Sequence, residues 1–191
     1  MFIKRISALL VCAALLSGLT ASAQAVEFPD VSTEHWAYAD IQKASGYGLI
    51  QGLEDGTFRP EETLNRASFV TILQRMFSWE DVLPASPSFS DVRPGDWYYA
   101  AAETARAHGV TGEETLFQPM GYITREDMAV MLVRALRYES LAGDIASLGV
   151  PFPDVTSHPG HIALSAAIGM TTGVEVDGQL LFQPDALATR G

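Results

Sequence analysis

Residues 28–68 read FPDVSTEHWAYADIQKASGYGLIQGLEDGTFRPEETLNRAS, and their parts return twice further along the chain. Phe-Pro-Asp-Val at 28–31 is answered by Phe-Ser-Asp-Val at 89–92 and Phe-Pro-Asp-Val at 152–155, with spacings of 61 and 63 residues. Trp36 and Trp97 each stand six residues after the aspartate of their unit. Phe58-Arg59-Pro60 recurs as Phe117-Gln118-Pro119 and Phe182-Gln183-Pro184, and Asn65-Arg66 recurs as Thr124-Arg125 and Thr189-Arg190. From aspartate to arginine the intervals are 36, 34 and 36 residues, so the unit keeps its length while its sequence drifts. A repeated unit changes the reading of every residue inside it.

Within a unit the pattern is helix, turn, helix. Trp36 to Gly48 and Trp97 to Gly109 are alanine-rich, carry apolar residues at helical spacing and stop at a glycine suited to a left-handed C-terminal position. Asp55-Gly56 and Asp177-Gly178 mark tight turns, each the centre of a possible small hairpin, and Pro60, Pro119 and Pro184 close the turn region. Asn65 and Thr124 are N-caps for the second helix, and Asp127 completes a variant capping box with Thr124. Its apolar stripe is Phe69, Val70, Leu73, Met76 and Phe77 in the first unit, and Met128, Met131, Leu132, Ala135 and Leu136 in the second. Segments 80–88 and 139–151 read as connectors. The third unit is shorter before its glycine, has His158-Pro159-Gly160-His161 in place of a tryptophan, and reaches Gly191 directly after Arg190 without a second helix.

The first 25 residues stand apart. MFIKR is a short basic start, ISALLVCAALLSGLT is apolar and uncharged, and small-residue cleavage sites follow at residues 23 and 25. This is the pattern of a secretory signal peptide; a membrane anchor is the second reading, weakened by the lack of a basic stop-transfer flank. Val11 before Cys12 argues against lipid-linked processing of that cysteine. Without the leader the chain has no cysteine, which excludes disulfides, cysteine-based zinc sites and thiol nucleophiles. Loss of Lys4 and Arg5 takes the formal charge from −11 to −13. Nucleic acid and anionic lipid are poor partners for such a chain, and any anion must be held by local pairing.

Together these elements resemble the S-layer homology family: residues 28–68 with the apolar helix behind them form one copy, FSDVRPGDWYY with TRED a second, and FPDV with the terminal TRG a partial third. The resemblance implies an all-α fold of helix-turn-helix repeats in a pseudo-threefold spindle with an incomplete third repeat, divided at 26–84, 85–147 and 148–191. It also implies a noncovalent anchor that binds a secondary cell-wall polysaccharide, often pyruvylated, in grooves between repeats. The ligand-binding residues carried over are Arg66, Arg125 and Arg190, with Asp30, Asp91, Asp154, Trp36 and Trp97; Arg66 and Arg125 are the main anion holders. A chemical argument agrees, since guanidinium pairs with a carboxylate in bidentate fashion and a helix N-terminus adds unpaired N–H groups. Such pairing acts within a diffuse acidic field that salt screens over about 8 Å.

Plainer readings stand beside these. The tryptophans seal the start of the first helix, contact ligand, or do both. The aspartates read from the residues alone as turn or cap groups, and the arginines have acids such as Glu62 and Glu126 within reach in sequence. His158-Pro159-Gly160-His161 lacks further ligands for a metal, and the Asp-Gly turns lack the alternating oxygens of a calcium loop. No cofactor is called for, and no serine, histidine and acid arrangement marks an enzyme. The alternative function is protein–protein contact, through self-association or surface-layer partners, with no membrane insertion once the leader is removed.

Overall fold

A computed structural model describes residues 26–191, so the signal-peptide reading of residues 1–25 lies outside the described residues. In the first repeat α1 spans Tyr38–Gly46 and α2 spans Arg66–Met76; in the second, α3 spans Tyr99–Ala107 and α4 spans Arg125–Ala135. The first helix of each pair is followed two residues on by Gly48 or Gly109, both at φ +71°, as the C-terminal glycine pattern predicts. It begins two residues after the tryptophan instead of at it. In the first repeat His35 occupies the intervening turn: its Nδ1 accepts from Ala37 N–H and its carbonyl from Tyr38 N–H.

The second helices start where their caps predict. Asn65 Oδ1 accepts from Ser68 N–H, and Thr124 and Asp127 form a complete capping box. Val70 and Leu73 are fully buried on α2, as are Ala129 and Val133 on α4. Each large apolar side chain of this kind contributes roughly 1.5–3 kcal/mol on burial. Met76, expected in the stripe, is exposed, because α2 ends there.

Two expectations are corrected. Residues 139–151 are largely helical, with α5 at Glu139–Ile145 continuing into a 3-10 turn at Ala146–Leu148. This helix packs on α6 (Pro159–Ala167), and it explains Gly160, where a Cβ would run into the Ala142 carbonyl. Only one Asp-Gly turn makes a hairpin, β1 (Val174–Val176) paired antiparallel with β2 (Gln179–Leu181). Around Asp55 the chain forms a bare turn, whose carboxylate takes the Thr57 N–H and hydroxyl. The molecule is otherwise all-α, and no helix among the described residues is long and apolar enough to cross a membrane.

The repeats are joined by a closed ring of backbone hydrogen bonds. Leu64, Ile123 and Ala188 hold the same position in their repeats, just before Asn65, Thr124 and Thr189. Leu64 N–H donates to Ala188 O (2.8 Å), Ala188 N–H to Ile123 O (3.0 Å) and Ile123 N–H to Leu64 O (3.0 Å). α2 then packs on α3, and α4 on α6. The largest apolar cluster lies between α2, α3 and α4, while Phe28, Val31, Ala37, Ile41 and Phe58 form a small separate one.

Candidate functional site

The recurring aspartates shape the recurring turn. Asp30 accepts from the N–H groups of Phe58 (2.9 Å) and Arg59 (2.6 Å), Asp91 from Phe117 and Gln118 (both 2.8 Å), and Asp154 from Phe182 (2.9 Å) and Gln183 (2.7 Å). The clamp holds the residue after each phenylalanine at positive φ: 56° at Arg59, 57° at Gln118 and 59° at Gln183. Burial works against the charge of Asp30 and Asp154, but the two backbone donors outweigh it and hold both carboxyls below their ordinary range. Each phenylalanine tilts against the one that opens its repeat, with centroids 5.1 Å apart for Phe28 and Phe58, 5.2 Å for Phe89 and Phe117, and 5.6 Å for Phe152 and Phe182.

The arginines reach across to the next repeat. The backbone at Arg66 and Ala67 donates to Gly121 and Pro119, that at Arg125 and Glu126 to Ala186 and Pro184, and that at Arg190 and Gly191 to Glu62 and Pro60. Each N-terminal turn is therefore docked on the neighbour's proline turn, and its free N–H groups are already used. The side chains follow the same path. Nε of Arg66 donates to Phe117 O (3.0 Å), Nε of Arg125 to Phe182 O (2.9 Å) and Nε of Arg190 to Phe58 O (2.8 Å), with each guanidinium over the ring of that phenylalanine at 5.6, 5.0 and 4.7 Å. Arg125 adds a bond to Thr172 O (2.6 Å) and Arg190 one to Gln51 O (3.0 Å). In the second repeat the corresponding carbonyl, Gly112 O, is taken by Arg106, and Arg66 faces Asp127 Oδ1 at 3.6 Å.

Two grooves open beside these arginines. The first has a cavity of about 240 Å³ lined by Arg190, the 50–53 segment, Ser68, Thr71, Ile72 and Arg75 of α2, and Trp97 from the second repeat. Its lining carries two guanidiniums and no carboxylate. The second, about 150 Å³, is lined by Arg66, residues 110–112, Glu114, five residues of α4 (Glu126, Asp127, Val130, Met131 and Arg134), and His158 from the third repeat. Thr111 Oγ1 is buried there without a partner among the described residues. At Arg125 the described chain supplies no helix in the place of α2 or α4. Trp97 and Trp36 are both exposed, at 63 % and 73 %, and only Trp97 stands in the lining of one of these two grooves.

Arg75 and Arg134 also line these grooves, beyond the residues the repeat motif points to. They were visible as a recurrence, nine residues after Arg66 and Arg125. Arg75 lies exposed at the end of α2, loosely tied to Leu49 O (3.3 Å) and Gln51 Oε1 (3.4 Å). The histidine motif is occupied by acids: His158 Nδ1 meets Glu126 Oε1 at 2.7 Å and His161 Nε2 meets Glu139 Oε2 at 3.0 Å. Burial would raise the Glu139 carboxyl, yet His161 and Arg134 together bring it below its ordinary value.

These features define a class, a helical repeat module whose copies are clamped internally by aspartate and to one another by arginine. The family follows from comparison: residues 27–70 and 88–129 match the model of the S-layer homology domain, and the chain belongs to that family. It is 31 % identical over 192 residues to S-layer protein EA1 of Bacillus anthracis, an alignment covering 98 % of this chain and 22 % of that protein. An S-layer protein of Bacillus licheniformis is 29 % identical over 191 residues, covering 98 % and 21 %. An amylopullulanase of Thermoanaerobacterium thermosulfurigenes is 34 % identical over 115 residues, covering 60 % of this chain and 6 % of the enzyme. The chain thus spans about a fifth of the length of the two S-layer relatives.

Proposed function

We propose that this chain is a non-catalytic anchoring module of the bacterial cell surface that holds a carboxylate-bearing wall polysaccharide, such as a pyruvylated one, in grooves between repeats 26–84, 85–147 and 148–191. The observation that carries the reading is the first groove, where Arg190, Arg75 and Trp97 converge on one cavity of an otherwise acidic protein. Arg190 has two of its five N–H groups on carbonyls, leaving three for an anion, and the indole offers a flat face to a sugar ring. The arginines Arg66 and Arg125 head the corresponding positions of the other repeats. The aspartates Asp30, Asp91 and Asp154 serve the site indirectly, by fixing the turn on which each arginine rests. The surface-layer relatives and the small share of the amylopullulanase that is matched support an anchoring role shared by proteins of different activity.

The test is co-sedimentation of residues 26–191 with purified cell walls, before and after mild acid removal of pyruvate ketals. Binding to native walls and its loss after treatment are expected. Equal binding to both would remove the ketal from the proposal, and no binding to either would remove the anchor. A second reading, protein contact in a surface layer, is favoured by exposed aromatic residues at both ends of α1, Trp36 before its start and Tyr47 at its C-terminal cap. Sugar-free self-association, followed by light scattering against concentration, distinguishes it.

A further inference from the structure

The two grooves differ at the positions that decide which charge they accept, and we infer that the Arg190 groove alone takes the anionic sugar. In the second groove, acids of the chain itself stand where a ligand's carboxylate would go. This inference rests on the anchoring reading above and adds a choice of groove to it.

The grooves diverge at matched positions of their repeats. Ser68 and Asp127 each follow their repeat's arginine by two residues, and both are the residue whose N–H meets the N-cap side chain. Ser68 lines the first groove and Asp127 the second, where Asp127 Oδ1 approaches Arg66 Nη1 at 3.6 Å. One residue earlier, Ala67 is wholly buried, whereas Glu126 lines the second groove and holds His158. Glu114 adds a third carboxylate to that lining. Asp127 faces Arg66 at 3.6 Å and Glu139, outside the lining, holds Arg134 at 3.1 Å, so both guanidiniums are paired within the chain, and an incoming anion would meet the three carboxylates of the lining. The first groove presents two guanidiniums to the same anion without a competing acid in its lining.

Shape points the same way. Where Trp97 flanks the first groove, the third repeat offers His158, already engaged by Glu126 at 2.7 Å, and the cavity is about 150 Å³ against about 240 Å³. Of these two grooves, the first has an aromatic platform and a net positive lining, and the second is smaller and internally paired.

A reciprocal exchange tests this. Ser68→Asp puts the second groove's acid into the first; aspartate at this helix position is favourable to the cap and dipole, so the fold is retained, as thermal melting by circular dichroism will verify. Glu126→Ala with Asp127→Ser writes the first groove's residues into the second. Wild type titrated calorimetrically with the pyruvate ketal of a methyl N-acetylhexosaminide is expected to bind one equivalent, Ser68→Asp to lose at least tenfold in affinity, and the double variant to approach two equivalents. Two equivalents in wild type, or Ser68→Asp binding as wild type does, overturns the inference. Running Ser68→Asp in the wall co-sedimentation separates the two failures: wild-type binding with an undiminished variant sinks the choice of groove only, whereas no wild-type binding sinks the anchor itself.

Discussion

Helices α1 and α3 occupy the same place in consecutive repeats, have the same length and end at equivalent glycines, yet one is largely uncovered and the other almost wholly buried. Along α3, Tyr99, Ala101, Ala102, Glu103, Thr104 and Ala105 are buried; along α1 only Ile41 is. The difference comes from what lies against them. α2 packs on α3, and the connector before Phe89 runs along it, with Val82 N–H on Thr104 Oγ1 (2.9 Å), Ser88 N–H on Glu103 Oε1 (2.8 Å) and the Tyr99 hydroxyl on Pro84 O (3.2 Å). In α1 the residue matching Glu103 is Gln42, whose buried amide has no partner among the described residues. A repeat thus specifies its helix and its turn locally, and its stability is set by the neighbours that cover it.

Four experiments bear on that contrast. The largest effect is expected from Glu103→Ala, which leaves the Ser88 N–H without its acceptor beside a buried helix and should lower unfolding free energy by about 2–3 kcal/mol in urea titration. Next is the turn clamp: Asp91→Ala should cost about 2 kcal/mol, and Asp30→Ala less, because the turn it holds packs in the smaller cluster of the first repeat. Equal losses would show that the two repeats share one cooperative unit regardless of covering. Acid comes third. Asp30 and Asp154 are held below their ordinary value, so their contribution is complete above about pH 4 and is lost as pH falls through the lower folded-state values. The urea midpoint should decline over that range, and less steeply in an Asp30→Ala, Asp154→Ala variant. Smallest, and of opposite sign to the first, Gln42→Leu should stabilise by up to about 1 kcal/mol by removing the unpartnered amide.

Much of this architecture was legible because its devices are short and recur. The Asn65 and Thr124 caps and the closing glycines are local signals that recur, whereas the reach of Asp30, Asp91 and Asp154 to backbone N–H groups 26 to 29 residues away was hidden behind their reading as local turn or cap groups. Helix α5 was not legible: it is short, has no side-chain cap at Tyr138, and forms against α6, so packing creates what local propensity does not announce. The grooves were legible only in part. All three arginines share one register, but their surroundings come from elsewhere in the chain: Asp127 opposite Arg66, and Trp97 and Arg75 beside Arg190. The sequence favoured Arg66 and Arg125 because each heads a helix, whereas the groove inference proposed above turns on what surrounds Arg190. That inference depends on which residue faces each guanidinium across a repeat boundary, and spacing along one chain does not contain it.

The ring through Leu64, Ile123 and Ala188 has a further consequence, in the order of events. As the chain is made from its N-terminus, Leu64 can receive the Ile123 N–H early, but its own N–H waits for Ala188, which lies 124 residues further on. Two repeats can form helices and turns while one edge of each stays open. Closure between such distant residues is slow and arrives last. A chain still threading through an export machine would thus remain unsealed until Ala188 emerges, and only then would the circuit close.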